Sequence, residues 1–434
     1  MTAYDVDAVD RFGTDRRLSR RAAGRAAVGL VASGLGAIDI AQAASAQDTA
    51  TPAASDGNDR AAAIVAMARE VMARADLRAV IVRVTIGGEE VVTDALGESL
   101  TGVPATTEMH FRNGSVAISY VTTLLLHLVD RGIVGLDAPL ATWLPSLRHA
   151  DRITLRMLAN MTAGYPDYVQ DEGFVTALYA DPFRQWAPEE LVAISLASPH
   201  LFEPGTNWGY AHSNIVILGQ TLEAITGTPM ATLMRENIFD PLGLYNTHPT
   251  STAAIPEPVL HAFSSERRTA LGIPPTTRFY EESTYWNPSW TLAQGTIQTT
   301  NIYDMTTTAE AIGTGALLSP ESHRAQVSPN LIGFGTPVEG CATCTAQTEA
   351  YNYGLGLVRS GSWILQNPLF GGYGAIEAYL PSQKIAIAVA TTFGEQSFGE
   401  QGELLHPRAS WDIFAAIAAY LAPDEAPPPR RPAA

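Results

Sequence analysis

The stretch from residue 111 to residue 132 constrains this chain more than any other: Phe-Arg-Asn-Gly-Ser-Val-Ala-Ile-Ser-Tyr-Val-Thr-Thr-Leu-Leu-Leu-His-Leu-Val-Asp-Arg-Gly. Gly114 supplies a turn and Ser115 stands where a helix can start. Apolar residues at Val121, Leu124, Leu125, Leu128 and Val129 then follow helical spacing. Gly132 closes the pattern, as a glycine just past a helix end commonly does. A serine at the start of a buried helix has unpaired backbone N–H groups and the positive end of the helix dipole beside it. That suits a hydroxyl that becomes an alkoxide or a bound oxyanion. It equally suits a serine that only caps the helix.

Around this stretch the pattern changes from strand to helix and back to strand. Asn58 or Asp59 can cap a helix running to about Ala75. Val80, Val82, Val84 and Ile86 alternate with polar residues, Gly87-Gly88 turns the chain, and Glu89 to Ala95 returns as the second arm of a hairpin. Residues 353–359, 362–366, 374–380 and 385–392 read as short strands, and 411–421 as an apolar-striped helix. Strands at both ends with helices between them predict an α+β fold. The hairpin joins the C-terminal strands in one antiparallel sheet, with the terminal helices on one face and a helical lobe, about 115–300, on the other.

The domain organisation follows from the flanks. Residues 1–46 read as an export signal: Arg16, Arg17, Arg20, Arg21 and Arg25, an apolar run from Ala26 to Ile38, and Ala44-Ser45-Ala46 as a cleavage site. Ser19-Arg20-Arg21 points to the twin-arginine route, hence to the periplasm or the extracellular space. A disordered tail is the alternative. Residues 47–57 read as a linker, 58–422 as one domain, and the proline-rich 423–434 as disordered.

A formal net charge of -17 argues against nucleic acid and anionic membrane surfaces as partners. The apolar run is too short for a stable membrane span. Cys341 and Cys344, in Cys-Ala-Thr-Cys, read as a loop disulfide if the protein is exported. A redox-active pair or half a zinc site remain open, but no second Cys pair or His-x-x-x-His completes a metal site. No Gly-x-Ser-x-Gly, His-Glu-x-x-His or phosphate loop occurs, and no cofactor is implied.

Further motifs follow residue 132 in order: Leu136-Asp137-Ala138-Pro139, Leu144-Pro145, Ile153-Thr154-Leu155-Arg156, Met161-Thr162-Ala163-Gly164, Pro204-Gly205, Tyr210-Ala211-His212 and Pro241-Leu242-Gly243-Leu244. Gln294-Gly295 through Thr299-Thr300, with Asp304, completes the series. Together with Gly114-Ser115 this order, over residues 58–422, resembles the penicillin-recognising serine hydrolases: class C β-lactamases, D-alanyl-D-alanine carboxypeptidases and related esterases. The resemblance implies the α+β architecture above and gives roles to residues. Ser115 is the nucleophile and Tyr210 its base. The family's activating lysine, three residues after the serine, is replaced by Ile118. His212 stands where the second motif usually has asparagine. It could take a proton from Ser115, lower the tyrosine's pKa when protonated, or fill the asparagine's hydrogen-bonding role. Lys384, the single lysine, lies at a predicted strand start remote from Ser115.

The third motif aligns with Gln366-Asn367-Pro368, where Gln366 and Asn367 could contact substrate but supply no cation, which argues against penicillins. The aromatic segment 279–290, with Trp286, could wall an apolar cleft or pack the helical lobe, and Glu281 or Glu282 could serve as a carboxylate base. The resemblance, with the leader, implies an exported β-lactamase-like serine hydrolase acting by acyl transfer on an ester or amide, with an atypical active site. The alternative is a binding protein on the same fold that has lost turnover.

Overall fold

The computed structural model describes residues 57–250, 252–292 and 298–430. The export signal, nearly all of the linker, and Gln294-Gly295 lie outside the described residues. Helix α1 (Gly57–Arg74) leads into β1 (Leu77–Ile86) and β2 (Glu89–Leu100). The helical lobe follows, with α2 (Val116–Asp130) and α3 (His212–Thr226), and α4 (Ile302–Thr314) closes it. The chain then returns through β3 (Trp363–Gln366), β4 (Tyr373–Leu380) and β5 (Ile385–Phe393), and ends in α5 (Ala409–Leu421).

These strands form one antiparallel sheet in the order β2-β1-β5-β4-β3, extended by shorter strands. Val82 sits opposite Val389 on one side and Asp94 on the other, and Ile376 opposite Val389. The expected α+β arrangement is therefore present. Helices α1 and α5 pack against each other and one face, and α4 packs against β1, β4 and β5. With both faces covered, every residue of β4 and β5 is buried, which explains why they read as apolar runs rather than as alternation.

Two expectations are corrected. The strand expected over 353–359 is two short strands, Asn352–Tyr353 and Val358–Ser360, separated by a turn. The turn is drawn down onto α2, where Thr122 Oγ1 donates to Leu355 O (2.9 Å). A Cβ on Gly356 would fall 2.2 Å from Thr122 Oγ1, so only glycine allows the approach. The expected disordered tail is instead packed as far as Arg430. Trp363 Nε1 donates to Glu425 O (2.8 Å), and the Arg430 guanidinium lies over the rings of Tyr351 (4.0 Å) and Trp411 (4.8 Å). Apolar and cation–π contacts that composition does not reveal hold it. Residues 431–434 lie outside the described residues.

The sheet also encloses a carboxyl group. Glu377 of β4 is buried, its Oε2 has no hydrogen-bond partner among the described residues, and burial pushes its carboxyl well above the usual range. It shares a small void with Ser119 of α2 and Gln366 of β3.

Two predictions follow from this packing. Helix propensity alone favours Gly313→Ala by about 1 kcal/mol. However, a Cβ at Gly313 would lie 2.1–2.7 Å from Cδ1, Cγ and Cβ of Tyr379. Overpacking should therefore reverse the sign and lower stability by about 1–2 kcal/mol, read as a lower urea midpoint at unchanged slope. A stabilised variant would mean that α4 does not sit this close to β4. The second prediction concerns Glu377. In the folded protein it keeps its proton above the pH at which a free carboxyl, near 4.5, loses it. The folded state then binds more protons than the unfolded one, so this group's contribution falls as pH rises from about 4.5 to the folded-state pKa. Glu377→Gln should flatten that decline, which is at most about 1.4 kcal/mol per pH unit for one proton. Urea unfolding at pH 5 and pH 8 measures it; parallel losses in variant and wild type would contradict a buried, protonated Glu377.

Candidate active site

Residues 111–115 are held from both sides. Phe111 and Arg112 pair with Thr300 and Thr299. The Asn113 side chain then clasps Gln298: Nδ2 donates to Gln298 Oε1 (2.7 Å), and Oδ1 accepts from the Gln298 amide (3.1 Å). Gly114 has a left-handed φ of 48°, and a Cβ there would lie 2.5 Å from Pro368 Cβ. Glycine thus serves two needs at once, the backbone conformation and the contact with the third-motif segment.

Ser115 follows as the N-cap of α2, but its side chain makes no capping hydrogen bond. Its Oγ instead lies 3.3 Å from Tyr210 Oη, with either atom able to donate. The free amides expected here are mostly absent. The amides of Val116, Ala117 and Ile118 donate to the carbonyls three residues back, of Asn113, Gly114 and Ser115 (3.0–3.1 Å), in a tight first turn. Among the described residues Ser115's own amide has no intramolecular acceptor. Ile118, which the resemblance sets in the lysine's place, is fully buried in the core.

Tyr210 is buried and lies in the segment entering α3, whose N-cap is Ala211. His212 is the first residue of that helix. The His212 ring meets the Tyr210 ring edge-on, with centroids 5.2 Å apart. His212 Nδ1 donates to Asp167 Oδ2 (3.0 Å), and the His212 amide donates to Asp167 Oδ1 (3.2 Å). The carboxylate therefore fixes both the tautomer and the ring. His212 stands behind Tyr210, and the hydroxyl that bonds Ser115 Oγ is tyrosine's. Sequence reasoning missed Asp167. The only signal was its place three residues after the Met161-Thr162-Ala163-Gly164 motif, because nothing local pairs it with a histidine 45 positions on.

The other candidates divide. Gln366 donates its Nε2 to Gly356 O (2.7 Å) inside the fold, so it clamps the turn beside β3 rather than facing a substrate. Asn367 adjoins Pro368 and so flanks the Ser115 loop. Its Oδ1 accepts from Tyr351 Oη (3.5 Å), and its Nδ2 is buried without a partner among the described residues. Trp286 is buried, its ring 3.2 Å from where a Cβ on Gly371 would lie. The segment 279–290 mostly packs: Tyr280 stacks on Phe263 (5.1 Å) and Trp290 on Phe370 (6.0 Å). Glu281 and Glu282 are not a base for Ser115, because Arg267 holds the first (2.9 Å) and His261 the second (2.6 Å). Lys384 lies in the β4–β5 turn, at the opposite end of β4 from Pro368. Cys341 and Cys344 form a disulfide. Among the described residues no cluster of metal-ligating side chains occurs, and no helix is long and apolar enough to cross a membrane.

The family described as Beta-lactamase matches residues 64–406 of this chain. Penicillin-binding protein 4 of Amycolatopsis lactamdurans is 31% identical over 161 residues, 34% of this chain and 38% of that protein. Esterase EstB of Burkholderia gladioli is 30% identical over 162 residues, 34% of this chain and 41% of that protein. The chain thus spans about two fifths of the length of these curated relatives. Among solved structures, D-amino acid amidase from Ochrobactrum anthropi SV3 superposes with a TM-score of 0.68. It is 24% identical, with 84% of this chain and 99% of that chain covered, a likeness of fold. With the family match extending over most of the chain and a serine–tyrosine pair at the start of α2, the chain belongs to the β-lactamase family of penicillin-recognising serine hydrolases.

Proposed function

We propose that this protein is an exported serine hydrolase that transfers the acyl group of an ester or amide to water through Ser115. The observation that carries the reading is the 3.3 Å approach of Ser115 Oγ to Tyr210 Oη by a serine that does not cap its own helix. Tyr210 takes the Ser115 proton, Oγ attacks the carbonyl carbon, and the oxyanion forms beside the Ser115 amide at the positive end of α2. Tyr210 returns the proton to the departing alcohol or amine, and water then cleaves the acyl-serine. His212, set by Asp167, packs against the phenol and is the group that replaces the missing lysine's influence.

Names among the relatives support an ester or amide substrate: an esterase, and a D-aminopeptidase of Brucella anthropi that is 28% identical over 179 residues. The absence of a cation at Gln366-Asn367-Pro368 argues against penicillins. Export is supported by the arginine-rich leader and by the Cys341–Cys344 disulfide, which an oxidising compartment favours. One observation favours a second reading, a binding protein without turnover: Ile118 fills the lysine's place and is fully buried.

Incubation with a fluorophosphonate followed by intact-mass measurement separates the two readings. The hydrolase reading expects one adduct, absent in Ser115→Ala, with Tyr210→Phe slowing its formation by about 10²–10⁴-fold. An unlabelled wild-type protein after prolonged incubation would favour the binding reading.

A further inference from the structure

Residues 333–347 fold over the segment that carries Tyr210. At the base of this loop the Gly333 amide donates to Gln347 O and the Gln347 amide to Phe334 O, both at 2.8 Å. Asn207 stitches the loop to the segment before Tyr210: its Nδ2 donates to Thr336 O (3.0 Å), and its Oδ1 accepts from the Thr336 amide (2.8 Å). At the tip stands the Cys341–Cys344 disulfide. Within it, Thr343 Oγ1 donates to the main-chain carbonyl of Tyr210 at 2.8 Å. Both sulfurs lie against Gly209. A Cβ there would be 2.9 Å from Cys344 Sγ and 3.4 Å from Cys341 Sγ, so the disulfide rests directly on main chain.

We propose that this loop is a redox-sensitive support for the candidate base, with Thr343 as the positioning residue. The proposal rests on the reading of Tyr210 as base. In the oxidised form the four-residue ring fixes Thr343, Thr343 fixes the Tyr210 carbonyl, and the phenol is held at hydrogen-bond reach of Ser115. Gly335 and Gly340, outside the ring, have φ values of 93° and 78°, a left-handed conformation that favours glycine. Reduction opens the ring: a dithiol such as dithiothreitol supplies two electrons and two protons and becomes its cyclic disulfide, and the Sγ–Sγ bond is replaced by two thiols. Thr343 then loses its fixed geometry, and Tyr210 Oη, at the far end of a long side chain, amplifies any shift of its own main chain. A misplacement of about 1 Å at a reacting group can cost about 10²-fold in rate.

Two measurements on the full chain test this. The first is amide hydrogen exchange of peptides covering residues 205–214 in three forms: oxidised, reduced with dithiothreitol, and Cys341→Ser with Cys344→Ser. Exchange there should speed up in the last two forms, while peptides from 373–393 stay unchanged. Equal exchange in all three would overturn the support, whatever Ser115 does. The second is the rate of Ser115 labelling by a fluorophosphonate. Thr343→Val should slow it at least about tenfold, and Thr343→Ser, which restores the hydroxyl, should bring it back. Faster exchange with unchanged labelling would overturn the positioning role. If oxidised wild-type protein takes no label at all, the nucleophile reading fails, and exchange alone decides the support.

Discussion

The pairing of β1 with β5 is the interaction on which the rest depends. It sets Val82 opposite Val389 and Ile86 opposite Ile385, joining segments from the two ends of the domain. A contact so distant in sequence carries a large loop-closure cost, which grows only slowly with length, so a long lobe can be inserted between the strands. That lobe delivers Ser115 and Tyr210 from two helix starts. The returning chain brings Pro368 against Gly114 just before the strands complete the sheet. The site is thus assembled by three segments where the lobe meets the sheet.

The fold was largely legible because its signals are local. The 111–132 pattern marked α2, the Gly87-Gly88 turn marked the hairpin, and the apolar runs at 374–380 and 385–392 marked β4 and β5 to within a residue. What failed depends on distant partners. Thr122 pulls Leu355 into a turn and breaks a predicted strand, and aromatic rings from two other segments hold a tail whose composition suggests disorder.

The site divides in the same way. The Ser115–Tyr210 pair was readable through the ordered motifs. Asp167 was not, since its role exists only once His212 is folded beside it. Gln366 matched a binding position by alignment, yet its amide is committed to Gly356, and the tight first turn of α2 uses amides that a regular helix start would leave open. Ile118, which the resemblance sets in the place of the family's lysine, is buried and brings no charge to that turn. The proposed chemistry at Ser115 therefore rests on the tyrosine and on what surrounds it, a buried histidine–aspartate pair and a disulfide loop.

The central claim is that Tyr210 is the base for Ser115 without help from lysine. It is tested most directly by the pH dependence of Ser115 acylation by a p-nitrophenyl ester in wild type and Tyr210→Phe. An ordinary phenol ionises near 10, so the account predicts a rate that climbs with pH in the wild type and a profile without that limb in the variant. Superimposable profiles would contradict it and leave the 3.3 Å contact as packing.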